Sequence, residues 1–149
     1  MRISDICIRG VVCIAPDASI LDAARAMREH HVGCLVVAER RDGDARPLGV
    51  LTDRDIVLAV VAPDIDVDVL TVGDVMSPQP HTCREDDDLF GALQTMRRHG
   101  VRRLPVVDDE GRLAGIVSAD DVIAAFGMEV TELARAFKYQ QAREAEQRV

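Results

Sequence analysis

The stretch Gly49-Val50-Leu51-Thr52-Asp53-Arg54-Asp55-Ile56 returns further along the chain as Gly115-Ile116-Val117-Ser118-Ala119-Asp120-Asp121-Val122. In each copy a short apolar run ends in a hydroxyl residue, with a carboxylate three positions later. That order describes the end of a buried strand and the start of a helix. Thr52 or Ser118 is the N-cap and Asp55 or Asp121 the third helical residue, a short relative of the capping box. A helix start placed directly after a strand also gathers free N–H groups and a partial positive charge, so it can hold a phosphate. The same hydroxyl and carboxylate therefore have two possible uses, one structural and one in ligand binding.

The repetition extends well beyond this motif. Sliding the sequence by 69 places superposes Ile3–Val37 on Val72–Val106 without a gap. Asp5 meets Asp74, Asp17 meets Asp86, Ala23 meets Ala92, Met27-Arg28 meets Met96-Arg97, and His30 meets His99. The offset then drops to 66, because Arg40–Pro47 reads as a longer turn than Asp108–Arg112. A period of this length is too long for an ordinary solenoid and points to two copies of one small α/β unit.

Ile3–Ile6 and Val72–Met76 read as short helical turns leading into each copy. Val11–Ile14 and Pro80–Cys83 read as short extended segments. Ser19–His30 and Asp88–His99 carry apolar residues at helical spacing, through Ile20, Ala23, Ala24 and Met27 and through Leu89, Ala92, Leu93 and Met96. Asp17 or Ser19 can cap the first of these. Cys34–Ala38, Leu48–Leu51, Leu104–Val107 and Leu113–Val117 are short apolar runs between turn residues, as buried strands are. Asp53–Val61 and Ala119–Phe126 close each copy as helices. The unit is thus β-α-β-β-α, and at roughly 60 residues each half needs the other to bury a core. The division expected is a first repeat over 1–62, a linker over 63–71, a second repeat over 72–127 and a C-terminal helix over 128–149. The stripe of that last helix, Val130, Leu133, Ala134, Phe137 and Gln141, is expected to dock on the pair or on a second subunit.

Eighteen basic and 26 acidic residues give a net charge of −8, which argues against a general nucleic-acid role. No run approaches the roughly 20 apolar residues of a membrane span, and no signal-peptide pattern opens the chain. A cytoplasmic protein without membrane contact is the expectation. Cys7, Cys13, Cys34 and Cys83 lack metal-binding spacing and read as small core residues. His30, His31, His81 and His99 are equally scattered, so no metal site is expected. Glu85–Asp88 reads as a solvated helix entrance, its charge favourable at the helix N-terminus. No catalytic motif of hydrolase, metalloprotease, nucleotide-loop or dinucleotide type occurs, so catalysis is not expected.

The tandem β-α-β-β-α repeat ending in G-h-h-[ST]-x-x-D-h resembles the cystathionine-β-synthase (CBS) domain family, and the pair resembles a Bateman module. The resemblance runs from Ile3 to Phe126 in both copies. It includes the strand Leu104-Pro105-Val106-Val107-Asp108 and the lead-in Asp74-Val75-Met76-Ser77-Pro78. It implies an α/β fold of two repeats about a pseudo-twofold axis, with clefts between them for adenosine ligands such as AMP, ADP or ATP. Asp55 and Asp121 would accept from ribose hydroxyls, since a carboxylate can take two adjacent O–H donors. Thr52 and Ser118 would bond phosphate, with Arg54 as a clamp in the first copy and Arg103 near the central phosphates. Base-pocket walls would be Val12, Cys13 and Val36 in one cleft, and His81, Thr82 and Pro105 in the other. The two clefts are expected to be unequal, the Thr52–Asp55 cleft favouring phosphorylated ligands.

The resulting expectation is a regulatory module without catalytic cofactor, with an adenine nucleotide as regulatory ligand. It would form a flat homodimer through helices of both repeats and signal to an unidentified effector protein. The alternative is an interaction scaffold with vacant clefts, or one responding to metal or thiol chemistry. In that case Thr52/Asp55 and Ser118/Asp121 are helix caps alone, and Arg54 and Arg102-Arg103 are solvated surface charges.

Overall fold

In a computed structural model of the chain, residues 1–147 are described. Two small sheets carry the two repeats. The first is built from β1 (Cys13–Ile14), β2 (Cys34–Arg41), β3 (Asp44–Thr52) and β4 (Ser77–Pro78) in that order. The second contains β5 (Cys83–Arg84), β6 (Arg103–Val107) and β7 (Leu113–Ser118). In both, a first strand lies parallel to a second, which pairs antiparallel with a third. The parallel pairs are bridged by α1 (Ile20–His30) and α4 (Leu89–His99). The architecture is the expected α/β pair of repeats.

The helices form where the apolar spacing places them. In α1, Ile20, Ala23 and Met27 are the buried stripe, and in α4 Leu89, Ala92 and Met96. Ser19, and not Asp17, caps α1, its hydroxyl accepting from the Asp22 N–H at 3.0 Å. Both helices end on a left-handed residue, His31 (φ 53°) and its repeat counterpart Gly100 (φ 65°). Only the second copy uses the residue without a Cβ penalty there.

The turn expected over Arg40–Pro47 is much shorter. β2 and β3 continue until Arg41 pairs with Asp44, leaving Asp42-Gly43 as a two-residue turn with φ of 52° and 87°. Positive φ at both central residues is what a primed hairpin turn demands, and Asp-Gly is a preferred pair for it.

The lead-ins are exchanged between repeats. Ile3 is fully buried, and it packs in the core of the second repeat with Cys83, Leu89, Met96, Leu104 and Val117. Its N–H donates to the Asp87 carbonyl at 3.0 Å, and Ile8 and Ile116 exchange backbone hydrogen bonds of 2.9 Å. Conversely Val72, in α3 (Val72–Val75), lies in the core of the first repeat with Ala23, Met27, Leu35, Val37 and Leu51. Its N–H donates to the Ala18 carbonyl at 2.9 Å, and β4 pairs with β3.

This exchange explains the glycine that opens each repeated motif. A Cβ on Gly49 would lie 2.8 Å from the Ser77 carbonyl oxygen and 2.5 Å from Met76 Sδ; one on Gly115 would lie 3.0 Å from the Ile8 carbonyl oxygen. Each glycine is where the other repeat's lead-in crosses the strand.

The first closing helix starts as α2 (Asp53–Ile56) and passes into a π-helical turn over Val57–Val61. The second, α5, runs without a break from Ala119 to Gln147. The separate helices expected over Ala119–Phe126 and Met128–Val149 are therefore one, Gly127 lying within it; Arg148 and Val149 are outside the described residues. Beyond Phe126 the helix leaves the body. Val130, Leu133 and Phe137 remain 65, 58 and 58% exposed, so the stripe does not dock on its own pair of repeats. Among the described residues no helix is long and apolar enough to cross a membrane.

Candidate functional site

Thr52 and Asp55 form a closed capping box. Asp55 Oδ2 accepts from the Thr52 N–H and hydroxyl, both at 2.8 Å, while Thr52 Oγ1 accepts from the Asp55 N–H at 3.2 Å. Ser118 and Asp121 repeat the arrangement at 2.8, 2.6 and 3.1 Å. The cap role is thus real in both copies. It occupies one carboxylate oxygen of each aspartate. The other oxygen, Oδ1, accepts no hydrogen bond among the described residues of the chain, and both aspartates are only half-buried. Cap and ligand acceptor are therefore compatible in one side chain.

A cavity of about 270 Å³ opens beside Ser118 and Asp121. Its walls come from both repeats: Gly10–Val12 and His31–Cys34 from the first, Arg103 and Ile116 from the second, and Ile8 from the exchanged lead-in. Apolar backbone-rich walls with a few polar groups converging on one side are the usual make-up of a small-molecule site.

Of the expected base-pocket residues, Val12 lines this cavity. Cys13 instead lines a separate hollow with Ile14–Asp17 and Ala38–Arg40 at the edge of the first sheet. Val36 is fully buried and presents no surface to a ligand. Pro105 is buried in β6, whereas His81 and Thr82 are exposed. The His81 ring stacks on His99 with centroids 3.5 Å apart. Partial desolvation, His81 and Arg98 together hold His99 below the ordinary histidine range.

The cations are distributed differently from the sequence expectation. Arg54 is exposed on α2, outside the cavity wall, and its backbone N–H donates to Asp53 Oδ1 at 2.8 Å. Arg102 pairs with Asp120 at 3.1 Å on the surface. Arg103 is in the cavity wall and has no ion-pair partner among the described residues. Cys34 occupies the counterpart position. Burial pushes its thiol up to about 11, against the Arg103 guanidinium and reinforced by the Asp55 and Asp53 carboxylates. Charges from both repeats thus act on one buried thiol. Burial, with Asp87 and Cys7 adding to it, raises the Cys83 thiol to about 12.

Sequence reading missed His31, Gly33 and Cys34 as cavity residues. The available signal was the repeat itself, because Cys34 aligns with Arg103. Among the described residues no group of three or more His, Cys, Asp or Glu side chains is placed to hold a metal.

Comparison with known proteins agrees with the fold. The CBS domain family matches residues 3–62 and 72–127. The chain belongs to the CBS domain family, as a tandem pair. An uncharacterized protein of Methanopyrus kandleri is 35% identical over 123 residues, 83% of this chain but 61% of that protein. A solved CBS domain protein of Pyrobaculum aerophilum, complexed with AMP, superposes with a TM-score of 0.73 at 31% identity, covering 81% of this chain and 89% of its own. A crystal structure of hypoxic response protein, with two coordinated zinc ions, superposes with a TM-score of 0.72 at 34% identity, covering 83% of this chain and 98% of its own.

Proposed function

We propose that this chain is a regulatory module that binds an adenosine-containing ligand in the cleft at Ser118–Asp121. It passes the signal on by a change of conformation or association. The observation that carries the reading is the pairing of roles at Asp121. One oxygen holds the helix cap, and the other is left for a ribose hydroxyl in a cavity that also contains the Arg103 guanidinium, unpaired among the described residues. Arg103 supplies the charge for phosphate, Ser118 a hydroxyl at a helix N-terminus, and Val12 and Cys34 a narrow apolar slot for the base. The AMP complex of the related Pyrobaculum protein supports the ligand class.

We assign Thr52 and Asp55 to a second ligand site, with Arg54 exposed nearby on α2. Because Arg103 stands at Ser118 and a thiol at the corresponding place beside Thr52, the stronger phosphate site is the one at Ser118. This reverses the expected inequality. A ligand that bridges groups from both repeats shifts their relative position only by its difference in affinity between the two arrangements. The response passes to a partner protein or to self-association. Exposed apolar residues on the helical faces, Leu21, Val57, Leu58 and Val61 in the first repeat and Phe90 and Ile123 in the second, supply a surface for the expected homodimer.

The alternative of a metal-responsive scaffold rests on the zinc-bearing relative. Thermal unfolding with AMP, ADP, ATP, NAD and S-adenosylmethionine separates the readings. A ligand at 100 times its Kd adds about 2.7 kcal/mol, or several degrees in Tm for a domain of this size. Stabilisation by one adenosine ligand, lost in Asp121→Ala, supports the proposal. Stabilisation by zinc alone, on nucleotide-free protein, overturns it.

A further inference from the structure

The apolar stripe of α5 repeats every seven residues, and of its members Phe126 packs on the core of the second repeat. Ile123, Val130 and Phe137 form one series, and Phe126, Leu133 and Gln140 a second, three positions behind the first. Five of these six are apolar, and this is the narrow a/d seam of a coiled coil, not the broader stripe of a core helix. Beyond Phe126 nothing in the body covers it, and Val130, Leu133 and Phe137 are each more than half exposed.

The charges around the seam decide what covers it. Glu129, Glu132, Glu144 and Glu146 alternate with Arg135, Lys138 and Arg143, so this half of the helix is nearly neutral. A helix lying on an anionic membrane surface has a polar face dominated by lysine and arginine. Arg135 and Glu132 already pair along the helix at 2.6 Å. Glu129 and Arg143 occupy equivalent flanking positions two heptads apart and have no ion-pair partner among the described residues. If two copies run parallel, Glu129 faces the uncharged Ala134, and neither Glu129 nor Arg143 meets an opposite charge. In an antiparallel pair that sets Leu133 against Phe137, and Val130 against Gln140, Glu129 of one copy meets Arg143 of the other, twice. Ala134 then faces itself across the axis, allowing close approach.

We propose that the projecting half of α5 pairs with the same segment of a second copy as an antiparallel two-helix coiled coil, with Leu133 and Phe137 at its centre and two Glu129–Arg143 pairs at its flanks. The interface is thus self-complementary, as a twofold contact must be. It is independent of the ligand cleft, so failure of the nucleotide reading leaves it standing.

The test is sedimentation velocity of the full chain at several concentrations, with far-ultraviolet circular dichroism as the folding control. Wild type is expected to associate, and Leu133→Asp with Phe137→Asp to halve the mass of that species while both repeats stay folded, since neither side chain packs on them. Glu129→Arg alone, and Arg143→Glu alone, set like charges opposite each other and should weaken association roughly tenfold or more. The double reversal should restore it. A monomeric wild type, association indifferent to Leu133→Asp with Phe137→Asp, or single reversals as strong as wild type each overturns the proposal. So does a wild type that instead binds vesicles of phosphatidylserine through α5.

Discussion

Arg103 and Ser118 are direct cross-strand partners on β6 and β7, and in the first repeat the same two positions are held by Cys34 and Thr52. The difference between Cys34 and Arg103 thus places a buried thiol beside one helix N-terminus and a guanidinium beside the other. The pseudo-symmetry of the fold sharpens the contrast, since the two positions are paired across the same strands in both repeats.

Replacing Arg103 by Ala should therefore weaken AMP much more than adenosine. Hydrogen bonds to a charged group contribute about 1.5–3 kcal/mol, so a loss of roughly 10- to 100-fold in AMP affinity is expected, with adenosine within about threefold. Calorimetric titration of both ligands reads this directly. Equal losses would place Arg103 outside the phosphate site.

Asp55→Asn and Asp121→Asn should cost similar stability and different affinity. Each aspartate closes a capping box of the same geometry, and disturbing a helix N-terminal cap costs about 1 kcal/mol. Urea midpoints should fall alike in the two variants. AMP binding should fall more in Asp121→Asn, because the cavity with Arg103 lies there. Loss of stability with unchanged binding in both would leave the motif as a cap only.

The exchanged lead-ins predict that the first residues of the chain stabilise the far repeat. Ile3→Ala removes a wholly buried side chain from the second core and should cost about 2–5 kcal/mol. Hydrogen exchange should show the loss at Leu104, Val106 and Val117 and not in β2. Gly49→Ala should be worse tolerated than Gly115→Ala, since its Cβ meets a backbone oxygen at 2.8 Å against 3.0 Å. Equal costs would contradict the close crossing of β4 over β3.

Two thiols should be inert in the folded chain. With Cys34 near 11 and Cys83 near 12, less than about one molecule in a thousand carries either thiolate at pH 7.5, and the thiolate is the reactive form. Iodoacetamide labelling followed by peptide mass spectrometry should find both slow in native protein and fast in urea. Rapid native labelling of Cys34 would favour the thiol-responsive alternative.

Much of this molecule was legible from local pattern. The caps at Thr52 and Ser118 connect residues three apart, and the stripes of α1 and α4 follow helical spacing. The duplicated strands are bounded by their own turn residues. All of these are settled by neighbours along the chain, and the repeat supplied each reading twice. The Asp42-Gly43 turn was equally local, but its flanking charged residues hid strands that continue because they pair with each other and not because they are apolar. The continuity of α5 through Gly127 was hidden because a glycine weakens a helix without ending it, and the residues on both sides favour the helix.

By itself the sequence determined two α/β repeats, their helix starts and the hydroxyl–carboxylate pair at each, because hydrogen bonds and periodicities within a few residues specify them. The tertiary structure alone decided that Ile3 fills the second core and Val72 the first. It also decided that Val12 and Cys34 face Ser118 and Asp121, and that Val36 is out of reach. These are contacts between segments far apart in the chain, and apolar burial is non-directional. Either lead-in is apolar enough for either core, so only the packing of the two halves selects the partner.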